Sequence, residues 1–303
     1  MAGLTDVYFR KIAENCGADL AYTEMVSAQG LNYKSKKTFD LLKVSSAEKS
    51  VAVQLFGHDP SVLSEMAKVV KDILQDKLAF IEVNMGCPAR KIVSKGDGCA
   101  LMKNEVLAGN IIASIKSSVS TPVTAKFRRG YYENSETCVS FAKTLESAGV
   151  DAITVHGRYA EQMYRGKSDS SAIRRVVEAV NIPVVGNGDI TCGKDALDMK
   201  DFTGATAVMI ARAALSNPFI FEECKAALAG MPYKKKSSID ILNIAIKHVK
   251  SFPETYNFAH FRKHAMYYIK GMKGSSPARN AISTANSIQD YVSIFEKLIE
   301  VNS

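Results

Sequence analysis

The segment Ile-Pro-Val-Val-Gly-Asn-Gly-Asp-Ile, residues 182–190, places an apolar run directly before a loop of small residues. A second segment, Thr-Ala-Val-Met-Ile-Ala-Arg-Ala-Ala at residues 206–214, has the same pattern and leads to Asn217-Pro218. Short runs rich in Val and Ile predict strands that are covered on both faces. Small residues let backbone N–H groups approach a phosphate, and Arg212 adds positive charge. We therefore expect two consecutive strands whose loops bind a phosphate group.

Five further apolar runs precede these two along the chain. The seven predicted strands are 19–25, 51–56, 79–84, 122–127, 151–155, 182–186 and 206–210. Helical patterns alternate with them, which predicts a parallel sheet and an α/β fold. In a TIM (β/α)8 barrel, phosphate commonly binds after strands 7 and 8, and the two small-residue loops fit those positions. Residues 1–5 form a loop before a helix at 6–16, so the first strand of this barrel is missing or shortened.

Several helix ends are marked by the sequence. Asp59-Pro60 and Asn217-Pro218 each combine an N-cap residue with a proline in the first turn. Ser135 is expected to cap a helix that Gly149 closes. These signals predict helices after about residue 60, from about 136 to 148, and at 219–229.

After residue 230 the alternation stops, and the segment MPYKKKSS follows as a linker. Four helices are predicted beyond it, at 239–251, 257–271, 277–286 and 288–301. We thus divide the chain into a barrel domain, 1–230, and a basic helical domain, 231–303. Residues 231–280 hold ten Lys and Arg against two acids, and ten minus two equals the net charge of +8 for the whole chain. Such a local excess indicates a polyanionic partner, although a solvated helical surface would have the same composition.

Composition excludes several classes of protein. No apolar run reaches the 18 or so residues that a membrane span requires, and the N-terminus has no secretory signal pattern. Six cysteines are scattered, without a CxxC pair or a Cys/His cluster at metal-ligand spacing. We therefore expect no metal, no disulfide framework and a cytoplasmic protein.

Polar residues stand near the ends of the predicted strands, where a barrel carries its reactive groups. They are Gln54, Asn84, Lys126, Arg128, His156 and Arg158. Lys126 lies inside the run Val-Thr-Ala-Lys-Phe, and burying a lysine is costly unless it meets an anion or an acceptor. The side chain of Gln54 has both donor and acceptor groups, which suit a flat heterocycle. The alternative for any one of them is a salt bridge or hydrogen bond at the rim.

The loop Asn84-Met85-Gly86-Cys87-Pro88-Ala89-Arg90-Lys91 is the most informative segment. A lone cysteine is usually a small core residue, but Cys87 lies between glycine and proline on a basic loop. It could therefore act as a nucleophile or as an acid. No paired base lies nearby in sequence, which weakens the interpretation as a nucleophile.

Taken together, these segments resemble the dihydrouridine synthases. The segments that carry the resemblance are MAGLTD-x-x-FR at 1–10, TEMVSAQGL at 23–31, VQLFG at 53–57, NMGCPARKI at 84–92, KFRRG at 126–130, HGR at 156–158, GNGDI at 186–190, ARAALSNPFIF at 211–221 and FRKHAMYYIKG at 261–271. The resemblance runs in order along nearly the whole chain. It implies a bacterial-type enzyme that binds FMN, takes electrons from NADPH and reduces uridine in tRNA.

The resemblance also implies roles for individual residues. Flavin contacts are expected at Met1, Ala2, Gln54, Lys126, His156, Asn187, Gly188, Asp189, Ala211 and Arg212. Substrate or RNA contacts are expected at Asn84, Arg90, Lys91, Arg128, Arg158, Arg262, Lys263 and His264. Cys87 matches the proton donor of the family. This role needs a neutral thiol, so Arg90 and Lys91 are expected to point outward. Tyr267 or Tyr268 could support RNA contacts, with core packing expected for at least one.

This chain departs from the family at two points. The strand that precedes Met1-Ala2-Gly3 in the family is absent, and Ala211 stands where the family usually has glycine. Two other interpretations stay open: an FMN barrel that reduces a small molecule such as a free pyrimidine or an enone, and a non-catalytic RNA-binding relative. A small-molecule reductase has no use for the basic domain. We expect the protein to act as a monomer.

Overall fold

The structure is a computed structural model and describes all residues, Met1–Ser303. It divides into two compact units. The sheet unit comprises Leu20–Ile190 and Lys194–Met209, and the helical unit comprises Met1–Asp19, Thr191–Gly193 and Ile210–Ser303. The division differs from the predicted boundary at residue 230, because the N-terminal residues and residues 210–230 group with the C-terminal helices. Which part is catalytic and which binds RNA stays a prediction.

The sheet unit contains one parallel sheet of seven strands. They are β1 (Ala21–Ser27), β2 (Val51–Phe56), β3 (Leu78–Met85), β4 (Val123–Gly130), β5 (Ala152–Tyr159), β6 (Val184–Asn187) and β7 (Ala207–Met209). Consecutive strands are neighbours throughout, without the reversal of order found in doubly wound sheets. The predicted α/β class is confirmed, and each of the seven predicted runs forms a strand. As predicted, no strand precedes β1.

Fifteen α-helices accompany the sheet. They are α1 (Val7–Asn15), α2 (Ala28–Asn32), α3 (Lys36–Phe39), α4 (Pro60–Leu74), α5 (Arg90–Val93), α6 (Glu105–Ser118), α7 (Cys138–Ser147), α8 (Ser170–Ala179), α9 (Gly193–Thr203), α10 (Arg212–Ser216), α11 (Ile220–Leu228), α12 (Ser238–Lys250), α13 (Arg262–Tyr268), α14 (Ser275–Thr284) and α15 (Ile288–Asn302). Short 3-10 helices span Asp40–Leu42, Gln75–Lys77 and Gly98–Lys103. None of the helices is long and apolar enough to cross a membrane.

The strands are less uniformly apolar than the sequence suggested. Buried apolar side chains alternate with polar ones along β4 and the second half of β3, and β2 has one polar residue, Gln54. In β3, Ile81, Val83 and Met85 have no exposed surface, whereas Glu82 and Asn84 lie between them. Because successive side chains of a strand point to opposite faces, one face of the sheet is apolar and the other collects the polar residues.

The helix-start signals were right at Asp59 but not at the other two positions. Asp59 accepts hydrogen bonds from the backbone N–H groups of Ser61 and Val62, with Pro60 in the first turn of α4. The predicted helix after Asn217-Pro218 forms, but α11 starts at Ile220 with Phe219, not Asn217, as its N-cap residue. The prediction that Ser135 caps the next helix is wrong, because α7 starts at Cys138 with Thr137 as its N-cap residue. The backbone N–H of Ser135 bonds instead to the carbonyl of Tyr132, closing a turn ahead of the helix.

The helical unit packs around aromatic rings. Its fully buried aromatic side chains are Phe261, Tyr268, Tyr291 and Phe295. The predicted helix at 257–271 shortens to Arg262–Tyr268. Its expected first turn is replaced by a side-chain turn, in which Asn257 Oδ1 accepts from the N–H of Ala259. Burial of Tyr268 confirms that at least one of the two neighbouring tyrosines serves the core.

Candidate functional site

The loop that carries Cys87 is held by the side chain of Asn84. Asn84 Oδ1 accepts hydrogen bonds from the backbone N–H groups of Gly86 at 3.2 Å and Cys87 at 2.9 Å. Its Nδ2 donates to Gln54 Oε1 at 2.8 Å. Asn84 is buried, so its amide orients the loop rather than facing solvent. The sequence analysis expected Asn84 to contact the substrate. In the structure its side chain links Gln54 to the Cys87 loop.

A glycine outside this loop, Gly98, also constrains its backbone. Gly98 has a φ of +60°, and a Cβ atom there would lie 2.7 Å from the carbonyl oxygen of Cys87. That carbonyl accepts a hydrogen bond from the N–H of Cys99 at 3.0 Å. Only glycine fits this approach, because it combines a left-handed backbone with direct contact to another main chain. The backbone position of Cys87 is therefore fixed both by the Asn84 amide and by the close approach of Gly98.

Glu82 was missed by the sequence reasoning. Its side chain has no exposed surface and accepts hydrogen bonds from Gln54 Nε2 and, at 3.4 Å, from Thr154 Oγ1. Burial raises the pKa of Glu82 to about 6, although the nearby Lys126 ammonium and these hydrogen bonds act in the opposite direction. The signal that singled out Lys126, a charged residue inside an apolar strand, also applies to Ile81-Glu82-Val83.

Lys126 lies on the same face of the sheet. Its Nζ donates to Asn187 Oδ1 at 2.8 Å, and Asn187 Nδ2 donates to the carbonyl of Met209 at 2.8 Å. Burial lowers the pKa of Lys126 to about 8, and the Glu82 carboxylate partly offsets this effect. Strands β4 and β6 are thus joined across β5 by an ammonium–amide contact. The sequence analysis expected an anion or acceptor beside Lys126, and in the structure Asn187 Oδ1 is that acceptor.

Arg128 is buried and satisfied by main-chain oxygens. Nε donates to the carbonyl of Gly86 at 2.9 Å, and Nη1 donates to the carbonyls of Tyr159 at 3.0 Å and Met163 at 2.8 Å. Burial lowers the pKa of its guanidinium. The expectation that Arg128 contacts RNA does not fit this geometry, since these bonds point its donors into the protein. Arg128 instead ties the Cys87 loop to the loop after β5.

Arg158 also turns inward. Its Nη2 donates to both carboxylate oxygens of Asp189, at 2.8 and 2.7 Å, and to the carbonyl of Gly166 at 2.7 Å. Nη1 lies 3.3 Å from His156 Nε2. The side chain is 2% exposed, so Arg158 also does not fit the expected RNA contact. It fixes the loop after β6 and the ring of His156.

The loop after β6 has the conformation of a small-residue turn. Gly188 has a φ of +132°, and Asp189, which is not glycine, has a φ of +54°. A Cβ atom on Gly188 would lie 2.2 Å from Ser168 Oγ, so glycine is required there. The carboxylate of Asp189 is occupied by Arg158 and by the N–H of Ser168 at 2.8 Å. What Gly188 and Asp189 can offer an anion is their backbone.

Four expected flavin contacts belong to the helical unit. The ammonium of Met1 bonds to Thr5 Oγ1 at 2.6 Å, and Ala2 is exposed. Ala211 has a φ of −124°, outside the left-handed region, so alanine fits there without the strain that would demand glycine. Arg212 is exposed and begins α10. The roles of these four residues stay predictions.

The expected RNA contacts in α13 divide by burial. His264 is 3% exposed, and its ring packs against Phe9 and Tyr268 at centroid distances of 4.5 and 4.8 Å. An RNA contact at His264 does not fit this burial. Arg262 donates from Nε and Nη2 to the carbonyl of Ala285 at 3.2 and 3.1 Å, beyond the end of α14. Of the three residues expected to contact RNA, Lys263 alone is exposed.

The basic character of the helical unit lies on its surface. The exposed cations of residues 231–280 are Lys234, Lys235, Lys236, Lys247, Lys250, Lys263, Lys270, Lys273 and Arg279. Only Lys236 has an acidic partner, Glu222, at 3.7 Å. In the sheet unit, Arg90 and Lys91 are exposed in α5, as expected. No group of three or more His, Cys, Asp or Glu side chains is placed to hold a metal ion.

The fold and these residues define an α/β protein with a partly buried ammonium, an amide pair and a thiol-bearing loop near the carboxyl ends of neighbouring parallel strands. A family model described as dihydrouridine synthase (Dus) matches residues 1–301. The chain therefore belongs to the dihydrouridine synthase family.

Individual relatives agree with this assignment. A protein of Rickettsia conorii named probable tRNA-dihydrouridine synthase is 34% identical, over 99% of this chain and 91% of its own length. The tRNA-dihydrouridine synthase B of Proteus vulgaris is 33% identical, over 99% and 94%. That of Pasteurella multocida is 32% identical, over 96% and 87%. A crystal structure of the Amycolatopsis orientalis BexX/CysO complex has a TM-score of 0.47 at 17% identity over 75% of this chain, too weak a likeness to bear on function.

Proposed function

We propose that this protein reduces the 5,6 double bond of uridine in tRNA, using FMN as cofactor and NADPH as electron donor. Membership of the family and the names of its relatives support the reaction and its RNA substrate. The structural observation that carries the proposal is the hydrogen-bonded series from Gln54 through Asn84 to the Cys87 loop. It places a thiol-bearing loop beside polar groups suited to a flat heterocycle.

The polar face of the sheet fits a flavin. Lys126 provides a partly buried ammonium. On the same strand, Thr124 Oγ1 is buried and has no hydrogen-bond partner. Gln54 has its Nε2 committed to Glu82, which leaves a lone pair of Oε1 for an imide N–H. We propose that Gln54 and Lys126 hold the ring system, and that Asn187 and His156 border it. FMN, when bound and reduced, supplies the hydride for C6 of uracil.

Cys87 is the acid in this proposal. Its thiol transfers a proton to C5 of the uracil ring, on the face opposite to hydride addition, so that the two additions together saturate the double bond. The exposed positions of Arg90 and Lys91 keep their charges directed to solvent, where RNA phosphates would be. Lys126 would offset negative charge on the reduced ring.

The remaining parts of the proposal concern architecture and partners. We propose that the seven-stranded sheet is that of a TIM barrel, with the backbone at Gly188 and Asp189 serving the flavin phosphate. The exposed cations of the helical unit would bind the tRNA backbone. The target uridine must be flipped out or lie in a loop, because a base within a stem is unreachable. The site needs no metal and is proposed to act in a monomer.

Purified protein, NADPH and unmodified tRNA transcripts test the proposal, with dihydrouridine counted by mass spectrometry of digested RNA. Free uracil and free uridine serve as parallel substrates. We expect dihydrouridine only in tRNA and an absorbance spectrum of bound flavin. Reduction of free pyrimidine with no product in tRNA would make the protein a small-molecule reductase. Failure to take up FMN would make it a non-catalytic RNA-binding relative.

A further inference from the structure

The loop that follows β4 is fixed in place by the loop that follows β5. The backbone N–H groups of Ala160 and Glu161 bond to the carbonyls of Gly130 and Tyr131, at 2.9 and 3.2 Å. The carboxylate of Glu161 accepts from the N–H of Glu133 at 3.1 Å. A Cβ atom on Gly130 would lie 2.2 Å from the carbonyl oxygen of Ser135, so the loop folds closely over the strand end. Residues 131–135 are therefore held by the main chain.

This fixed loop presents two tyrosine rings. Tyr131 and Tyr132 meet edge to face, with ring centroids 4.8 Å apart and an interplanar angle of 69°. Tyr132 is 51% exposed although it is a large aromatic residue. Lys103 Nζ lies 4.4 Å from the centroid of the Tyr131 ring. An aromatic pair and a cation are thus already arranged together, so binding a ligand would cost little conformational entropy in these side chains.

The surroundings of Lys103 are basic. The segment 88–104, which connects β3 to α6, contains the exposed cations Arg90, Lys91, Lys95 and Lys103. None of the four has an acidic partner. The only acid of the segment, Asp97, pairs with His58 at 2.8 Å. This charge favours a polyanion over a neutral or acidic partner.

We propose that Lys103, Tyr131 and Tyr132 form a stacking site for one unpaired RNA base that neighbours the reacting uridine. The inference rests on the proposed function and names a contact of its RNA substrate. An exposed tyrosine face binds any base by stacking, and a neighbouring lysine binds the phosphate of the same nucleotide. Unpaired nucleotides are the part of RNA whose bases are free to stack on protein rings.

The position of the stacking site relative to Cys87 supports this occupant. Strands β3 and β4 are paired neighbours, with Met85 opposite Phe127, and Cys87 and Tyr131 follow their respective carboxyl ends. Arg128, near the carboxyl end of β4, donates to the carbonyl of Gly86, directly before Cys87. A base on Tyr131 and Tyr132 and a uridine at Cys87 would therefore belong to one stretch of loop nucleotides.

Binding of unmodified tRNA transcripts to the flavin-loaded protein tests the inference, with the dissociation constant measured by fluorescence anisotropy at several salt concentrations. Tyr132→Ala should weaken binding about tenfold, within the range found when stacking aromatics are removed. Tyr132→Phe keeps the ring and should bind within about twofold of wild type, since stacking needs no hydroxyl. Lys103→Ala should reduce the slope of log K against log salt by about 0.7–0.9, the value for one phosphate contact.

The two control variants lie near the amino ends of the strands, whereas Tyr132 follows the carboxyl end of β4. Phe202 and Lys200 are exposed on the last turns of α9, before the amino end of β7. Phe202→Ala and Lys200→Ala should bind tRNA as wild type does. Tyr132→Ala with unchanged affinity, or Tyr132→Phe as weak as Tyr132→Ala, would overturn the stacking site. The affinities decide this whether or not dihydrouridine forms, so the outcome is separable from that of the proposed reaction.

Discussion

The guanidinium Nε of Arg128 donates a 2.9 Å hydrogen bond to the carbonyl oxygen of Gly86, the residue directly before Cys87. The two further carbonyl contacts of Arg128, to Tyr159 and Met163, make it the link between the Cys87 loop and the loop after β5. The geometry of the thiol therefore depends on a buried cation that need not touch RNA.

Arg128→Lys should disrupt this link, because one ammonium on a flexible stem cannot reproduce three donors in a planar arrangement. We expect a loss of stability of about 2–5 kcal/mol, since buried carbonyls lose charged partners. Dihydrouridine formation should fall at least tenfold at saturating tRNA. Thermal unfolding and product formation check this. The neighbouring Arg129→Lys is the control, because Arg129 forms a partly exposed pair with Glu136 at 2.6 Å. Equal effects of the two variants would contradict the role given to Arg128.

Gly98→Ala should displace the Cys87 loop. The added methyl group would lie 2.7 Å from the carbonyl oxygen of Cys87, at a backbone φ of +60°. Gly149→Ala is the matched control, since Gly149 has a φ of +87° with nothing within 4 Å of the added methyl. Both variants should lose about 1–2 kcal/mol through the left-handed backbone. Only Gly98→Ala should lower dihydrouridine formation by tenfold or more, and similar rates for both would exclude a specific effect on Cys87.

Glu82 and Lys126 should set the pH dependence of FMN binding. Burial raises the pKa of Glu82 to about 6 and lowers that of Lys126 to about 8, so both are charged between these values. FMN affinity should fall below about pH 6, where Glu82 takes up a proton, and above about pH 8, where Lys126 loses one.

Glu82→Gln separates the two limbs of this profile. The acid limb should disappear, and the alkaline limb should move to lower pH because the carboxylate no longer helps Lys126 hold its proton. FMN titration of the apoprotein between pH 5 and pH 10, followed by flavin fluorescence, measures both limbs. Glu48→Gln is the control, since Glu48 is also fully buried but bonds to the N–H of Ser45 at 2.7 Å. An unchanged profile in Glu82→Gln would contradict the assignment.

The histidines of the helical core should make the protein sensitive to acid. His248 and His264 are buried neutral, and burial lowers the pKa of His264 to about 3 and that of His248 well below its usual value. The unfolded chain binds protons at both below about pH 6.5, whereas the folded chain does not. Stability should therefore fall as pH drops below about 6.5, by up to about 1.4 kcal/mol per pH unit for each histidine.

Urea unfolding at several pH values measures this slope through helical circular dichroism. His264→Gln removes one buried ring and should reduce the slope by about half. His260→Gln is the control, because the His260 ring is exposed and four residues away in sequence. A slope that is the same in His264→Gln as in the wild type would contradict the assignment to the buried histidines.

The sheet was predictable because its signal is local. Each of the seven predicted apolar runs, five to seven residues long, forms a strand, and Asp59-Pro60 begins a helix with the capping contacts that its sequence implies. Glu82 could have been found by the argument applied to Lys126. The direction of side chains could not be predicted from the sequence. Arg128, Arg158 and His264 have residue types that suit RNA, yet tertiary packing buries all three. The stacking site could not be predicted either, because Lys103 and Tyr131 are distant in sequence and only the fold brings them together.

Dihydrouridine formation by the Cys87→Ala variant tests the central claim most directly. Flavin-loaded wild-type protein, Cys87→Ala and the control Cys192→Ala are each mixed with NADPH and unmodified tRNA, and dihydrouridine is counted over time. We expect product from the wild type and Cys192→Ala. Cys87→Ala should keep its flavin and still oxidise NADPH with a slow artificial acceptor, yet form dihydrouridine at least a hundredfold more slowly, as expected for loss of a general acid. Product from Cys87→Ala at the wild-type rate would contradict the account.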